Sequence, residues 1–311
     1  MIPIILIESK KYFSSISASI SSDWKPVNIN RRNISLYNNN PDVVAIACSR
    51  GMAHEIESLN FPNCKLIQLE SVGYDNVDLN HFVNKNIAVC NAQSIYDNCL
   101  SEYVIFAMLL YAKRFHRSPK RWWFKPFRNY HYMTEIAGKT VGIMGVGHIG
   151  TAIAKRLSTF DVRIIGYANN TKDKVYFEKI YHKDTFNEFL SSCDYLINVL
   201  PHNSSTIGLL NIETLKYLKP KVVFINIGRE SIYEKNSFVQ FMRKNSNAVA
   251  ILDIFEIIPR IFTNPLRRLS NVLIFPRVAA ISQESDNAII GLIIENINRL
   301  KNNHKLVNQL V

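Results

Sequence analysis

Short apolar runs at residues 2–7, 43–47, 65–69 and 87–89 alternate with polar or helically spaced stretches, the rhythm of βα units that build a parallel sheet. Residues 99–114 then read as one long helix, with Leu100, Tyr103, Val104, Ala107, Leu110 and Tyr111 along one side. A second series of strand-like runs follows at residues 140–144, 162–167, 194–199, 222–226, 249–252 and 272–275, and six such runs suit a doubly wound sheet. Residues 284–301 form a last helical pattern through Ile289, Ile290, Leu292, Ile293, Ile297 and Leu300, with no strand of their own to complete. The pattern predicts an α/β protein with parallel sheets in two domains, a count that 311 residues support.

Composition narrows the class. Hydrophobic content of 47% with 20% charged residues is that of a soluble globular chain, and the longest apolar run, residues 103–112, is too short to span a bilayer. The N-terminal run lacks a basic leader and a cleavage site and reads as a strand, so a cytoplasmic protein with no membrane partner is expected. Five cysteines, Cys48, Cys64, Cys90, Cys99 and Cys193, are an odd number without C-x-x-C spacing; they read as reduced core thiols, and no metal is expected. The net charge of +12 favours anionic partners. Residues 113–128 carry seven Lys/Arg and no acid around Trp122, Trp123, Phe124 and Phe127. Those aromatics fit a subunit interface better than a nucleic acid surface.

The most specific local pattern is Gly145-x-Gly147-x-x-Gly150, entered from an apolar strand and followed by the helical spacing of Ala152, Ile153, Leu157 and Phe160. Gly145 permits a tight turn, Gly147 lets backbone approach a pyrophosphate, and Gly150 allows close packing of helix on strand. The helix starting near His148 offers N–H groups and a positive dipole end to phosphates, with His148 and Ile149 contributing backbone only. A glycine-rich turn in any α/β domain is the plainer alternative; the strand before and the helix after favour a dinucleotide site.

Several motifs in fixed order extend this: Ser71-Val72-Gly73-Tyr74-Asp75-Asn76-Val77-Asp78, Ser101-Glu102, the glycine fingerprint, Leu200-Pro201 through Thr206, Asn226-Ile227-Gly228-Arg229, Leu252-Asp253-Ile254-Phe255, and Pro276 through Ala279. From about residue 63 to 300 the chain resembles the D-isomer-specific 2-hydroxyacid dehydrogenases, which include glyoxylate and hydroxypyruvate reductases and phosphoglycerate dehydrogenases. The resemblance implies two Rossmann-like or flavodoxin-like domains, each a doubly wound parallel sheet. An NAD(P)-binding domain at residues 99–282 would be inserted into a discontinuous substrate domain at residues 1–98 and 283–311. It implies that backbone N–H groups of Val72 and Gly73, with Arg229, hold the carboxylate of a small 2-oxoacid or 2-hydroxyacid. A guanidinium suits that task because it grips a carboxylate in bidentate fashion and stabilises charge on the carbonyl oxygen. Arg50 is a weaker candidate for the substrate wall. Asp253 matches the residue that bonds the nicotinamide carboxamide, and Pro201, Thr206 and Gly228 match positions beside the cofactor. A homodimer formed through the cofactor domain is also implied, with residues 121–132 as an exchanged arm.

The chain departs from the family in two places. After the second strand of the cofactor domain it reads Tyr167-Ala168-Asn169-Asn170-Thr171-Lys172, with no acid to take both ribose hydroxyls. Asn169 and Asn170 are therefore expected to accept a 2′-phosphate, making NADP the preferred cofactor and NAD the second. The family's proton relay is a His after Pro, held by a Glu before another Pro; here Arg277 follows Pro276 and Ile258 precedes Pro259, with Glu256 two residues from the vacant Glu position. Guanidinium, with a pKa above roughly 12, does not release a proton usefully. Two readings follow. One is a 2-oxoacid reductase in which Arg277 adds a second positive charge and water, or a side chain such as His54, provides the proton. The other is a silent dinucleotide-binding pseudoenzyme acting as a cofactor-responsive interaction protein. Persistence of Arg229, Asp253 and the Ser71-Val72-Gly73 loop favours the first.

Overall fold

The first apolar runs become a five-stranded parallel sheet in a computed structural model that describes residues 2–115, 133–169, 174–253 and 264–311. Its strands are β1 (Ile4–Ile7), β2 (Lys25–Asn28), β3 (Val43–Cys48), β4 (Leu66–Leu69) and β5 (Ala88–Cys90), in the order β2-β1-β3-β4-β5. All four residues of β1 and of β4 are buried, as expected for strands covered by helices on both faces. Helices α1 (Lys10–Ser19), α2 (Arg50–Ile56) and α3 (Leu79–Asn84) begin where Ser9, Ser49 and Asp78 accept the N–H of Tyr12, Met52 and His81, each satisfying a donor the helix cannot satisfy itself.

The second series forms a seven-stranded parallel sheet. Helix α4 (Asp97–Ala112) leads into β6 (Thr140–Met144), α5 (His148–Leu157), β7 (Arg163–Tyr167), β8 (Lys179–Tyr181), α6 (Phe186–Ser192), β9 (Tyr195–Asn198), β10 (Val223–Asn226), α7 (Lys235–Lys244), β11 (Val249–Leu252) and β12 (Val272–Ile274). The order is β12-β11-β10-β9-β6-β7-β8. The chain thus builds outward from β6 in one direction, returns, and builds outward in the other. The reversal between β6 and β9 is the switch point at whose carboxyl edge α/β sheets bind ligands.

Helix α8 (Gln283–Lys301) has no strand of its own and packs with the first sheet. The Asn296 amide donates to Gln68 Oε1 at 2.6 Å in the core, and the Tyr12 hydroxyl donates to Asp286 at 2.7 Å. The last residues run antiparallel to β5, where Leu310 N donates to Val89 O at 2.8 Å. The structure accordingly divides into two compact units, Met1–Tyr96 with Ser282–Val311, and Asp97–Ile281.

Two strands lie outside the predicted set. β2, Lys-Pro-Val-Asn, sits at the sheet edge with Lys25 exposed, where a proline costs no ladder bond. β8 has only three residues, also at an edge. The long helix starts earlier than expected, at Asp97, and Phe160 falls beyond the end of α5. The five cysteines are free, four of them buried and Cys99 partly so. Among the described residues no helix is long and apolar enough to cross a membrane.

Candidate active site

The glycine turn occupies the switch point of the second sheet. Gly145 follows β6 at φ +104°, and a Cβ there would also lie 3.0 Å from Val199 Cγ2. A Cβ on Gly150 would fall 1.9 Å from Gly145 O, so no side chain fits between helix and turn. Gly147, the N-cap of α5, has no heavy atom within 4 Å of where a Cβ would be. The turn is thus closed to side chains on its inner side and open at Gly147. N–H groups of His148, Ile149 and Gly150 lie in the first turn of α5, where no intrahelical carbonyl is available to them.

Two buried asparagines brace the neighbouring loops. Asn198 Nδ2 donates to Asn226 Oδ1 at 2.8 Å, Leu200 N donates to Asn198 Oδ1 at 3.2 Å, and Gly228 N donates to Asn226 Oδ1 at 3.1 Å. Thr206 is buried, and its hydroxyl donates to Pro201 O at 2.6 Å, closing the 201–206 loop on itself. Beyond β7, the Ala168 carbonyl lies 2.8 Å from His182 Nδ1, while Asn169 is exposed. Asn170, Thr171 and Lys172 lie outside the described residues, as do Glu256, Ile258 and the 121–132 segment.

Arg229 and Arg277 stand at the same carboxyl edge, each three residues beyond its strand, β10 and β12, on either side of Asp253 after β11. Arg229 is half-buried; its Nη1 donates to Gly228 O at 2.9 Å, and its own carbonyl accepts from Asn226 Nδ2 at 3.0 Å. Asp253 is buried, and its carboxylate accepts the N–H groups of Val278 and Ala279 at 2.9 Å each. Burial raises its pKa and those two donors oppose the rise. The carboxylate therefore fastens the turn that carries Arg277, a function its expected place beside a carboxamide did not include. Arg277 itself is exposed, at φ +57°.

In the first unit, residues 71–75 form a loop whose carbonyls are occupied. Ala92 N donates to Ser71 O at 3.1 Å, Asn91 Nδ2 to Val72 O at 2.8 Å, and Ser71 Oγ to Gly73 O at 2.7 Å. The N–H groups of Val72 and Gly73 meet no acceptor among the described residues, which is the polarity of an anion-binding nest. Arg50 is engaged by Asp75 at 2.5 Å and so braces this loop. His54 is exposed and lies 2.9 Å from Glu57, an ordinary surface arrangement.

A carboxyl pair at the edge of this sheet was not anticipated. Glu8 follows β1 and accepts Ser49 N at 2.7 Å, tying together the strand ends at the switch point of this sheet. Glu70 follows β4, with Oε1 buried and unpartnered among the described residues. Its pKa is pushed up to about 7 by burial and then by Glu8. The Tyr96 hydroxyl donates to the Glu70 carbonyl at 2.7 Å, and burial, with the charges of Glu70 and Asp286, raises that phenol to about 12. An acid directly after each apolar run was the available signal; no fixed spacing joins residues 8 and 70.

Residues 105–279 match the NAD binding domain of the D-isomer specific 2-hydroxyacid dehydrogenases. The chain belongs to this family. The family's glyoxylate reductase from Pyrococcus furiosus is 30% identical over 251 residues, covering 76% of this chain and 73% of that protein. The D-3-phosphoglycerate dehydrogenase of Archaeoglobus fulgidus is 29% identical over 76% of this chain and 45% of its own length. Among solved structures, the NADPH-dependent glyoxylate/hydroxypyruvate reductase of Sinorhizobium meliloti, crystallised with NADP and malonate, superposes with a TM-score of 0.79 at 25% identity over 100% of this chain and 97% of that one. As a 2-hydroxyacid dehydrogenase, this protein is an oxidoreductase of the NAD(P)-dependent type built on two Rossmann-like parallel sheets.

Proposed function

We propose that this dehydrogenase reduces a small 2-oxoacid and prefers NADPH to NADH. The observation that carries the reading is one found in each unit by itself: Arg229 at the carboxyl edge of the second sheet, and, in the loop after β4, N–H groups of Val72 and Gly73 that meet no acceptor among the described residues. Both are anion receptors of the kind a 2-oxoacid carboxylate requires. The open face at Gly147 and the first turn of α5 fit a dinucleotide pyrophosphate, with Asn169 and Asn170 taking a 2′-phosphate. When bound, the nicotinamide supplies the hydride. The chain's own part is to hold the acid, polarise its carbonyl through Arg229, and exclude competing orientations. Arg277 supplies no proton, so water protonates the oxygen, and the missing relay costs about a hundred- to ten-thousand-fold in rate.

The experiment is oxidation of NADPH and NADH against glyoxylate, hydroxypyruvate, phosphohydroxypyruvate, pyruvate and 2-oxoglutarate. The expected dissociation constant for NADPH is about tenfold or more below that for NADH; a clear NADH preference would remove the cofactor assignment. Arg277 and Ile258 favour a second reading, an interaction protein that binds dinucleotide without turning over. Tight cofactor binding with no turnover on any of the five acids would support it.

We also propose a homodimer in the cytoplasm, where free thiols persist. From Tyr103 to Ala112 helix α4 carries no charged side chain, and Phe106 on its open side remains 50% exposed, one turn beyond the exposed Glu102 and flanked by partly buried Ile105, Leu109 and Leu110. A second copy would bury that face. Light scattering is expected to give twice the chain mass; a monomer at working concentration would exclude the assignment.

A further inference from the structure

We infer that Arg277 reads a second anionic group on the substrate, so that this protein favours 2-oxoacids bearing a distal carboxylate or phosphate over simple monocarboxylates. The inference rests on the reductase reading above and adds the substrate class. Its first support is the backbone. Arg277 adopts a left-handed conformation, φ +57°, which strains a residue with a Cβ and which glycine or asparagine adopts more readily. Turn geometry alone therefore gives no reason for an arginine.

The mounting is the second support. The turn is fixed from both following residues, Val278 N and Ala279 N, by the buried Asp253 carboxylate, and Arg277 N donates to Phe275 O at 3.0 Å. Asp253 is in turn placed by its own N–H on Asn226 O at 3.0 Å, the residue that also holds the Arg229 carbonyl. The backbones carrying the two arginines are thus tied to one another through Asp253 and Asn226. Such a mounting gives a long side chain a defined origin.

Charge and placement are the third. The Arg277 side chain is exposed and makes no direct hydrogen bond or ion pair among the described residues; the Asp253 carboxylate, whose charge Arg277 favours, spends its own hydrogen bonds on Val278 and Ala279 N–H. β10 and β12 flank β11, which sets the origins of the two side chains roughly 10 Å apart. Arginine side chains can close from that separation onto the two ends of a small diacid or phosphorylated acid. A permanently charged fork that cannot serve as an acid remains well suited to binding carboxylate or phosphate.

The test compares the natural protein with Arg277→Gly and Arg277→Lys. Glycine relieves the backbone strain, so thermal unfolding is expected to show that variant at least as stable, removing misfolding as an explanation. Initial rates are measured with NADPH on 2-oxoglutarate, phosphohydroxypyruvate, pyruvate and glyoxylate, and calorimetry gives the affinity for 2-oxoglutarate in the presence of NADP. The natural protein is expected to show kcat/KM about tenfold or more higher for an acid with a distal anion than for pyruvate. Arg277→Gly should erase that ratio and weaken 2-oxoglutarate or phosphohydroxypyruvate by a similar factor, with Arg277→Lys between the two. Which of those two acids responds identifies carboxylate or phosphate as the group read. A preference for pyruvate or glyoxylate, or a ratio unmoved by Arg277→Gly, would overturn the inference and leave the reductase intact. Absence of turnover on every acid, with no 2-oxoglutarate binding, would overturn the reading beneath it as well.

Discussion

Arg229→Ala is expected to lower kcat/KM for the preferred 2-oxoacid about a thousandfold, equivalent to about 4 kcal/mol of transition-state stabilisation. In the proposed reading the guanidinium both holds the carboxylate and meets charge developing on the carbonyl oxygen, and removing one such donor commonly costs two to three orders of magnitude. The fold should tolerate the change. Arg229 is half-buried and its loop is held by backbone through Asn226, whose amide takes the Arg229 carbonyl at 3.0 Å and whose oxygen takes Gly228 N at 3.1 Å. NADPH affinity should therefore stay within a few-fold of the natural value in a direct binding titration. Arg229→Lys should recover only a small part of the loss, since a point charge does not reproduce the fork. Activity of Arg229→Ala within about tenfold of the natural enzyme would place the substrate elsewhere.

Glu70→Gln is expected to stabilise the protein at pH 8 by up to about 3 kcal/mol. In the folded chain Glu70 holds its proton up to about pH 7, because burial and the nearby Glu8 disfavour the carboxylate. In the unfolded chain it releases that proton near pH 4.5. The native state therefore binds more protons between those two values. Its contribution to stability is intact below about pH 4.5 and is lost as the pH rises through 7. Glutamine cannot ionise, so urea unfolding at pH 5 and pH 8 should show the variant gaining over the natural protein as the pH rises. Equal gaps at the two pH values would mean that Glu70 ionises as an ordinary surface acid.

Much of the architecture was legible because buried parallel strands are continuous apolar runs. The runs that became β1, β3, β4, β6, β7, β9, β10 and β11 are buried almost throughout. β2 and β8 were not legible, since a half-exposed edge strand of three or four residues has neither a continuous run nor enough length to show alternation. The residues of the glycine turn were readable because Gly145 and Gly150 are required by backbone geometry. Asp253 as the anchor of the Arg277 turn was not, because its bonds go to backbone N–H groups that any residue at 278 and 279 would offer. The Glu8 and Glu70 pair was equally hidden: its members come together only when β1 and β4 are placed in one sheet.

The placement of α8 bears on how the chain is made. Its core partners lie on the first sheet, where Ile289, Leu292, Ile293 and Ile297 cover Ile5, Ile7, Ala45 and Leu66. Those strands leave the ribosome before their covering helix, with the whole of Asp97–Ile281 translated in between. At roughly 5–20 residues per second the interval is tens of seconds at the slower rates. Through that time the second unit can fold on its own contacts while the face of the first sheet that α8 will cover is shielded only by α1, through Ile16 and its neighbours, and transiently exposed apolar surface of that kind is what chaperones exist to protect.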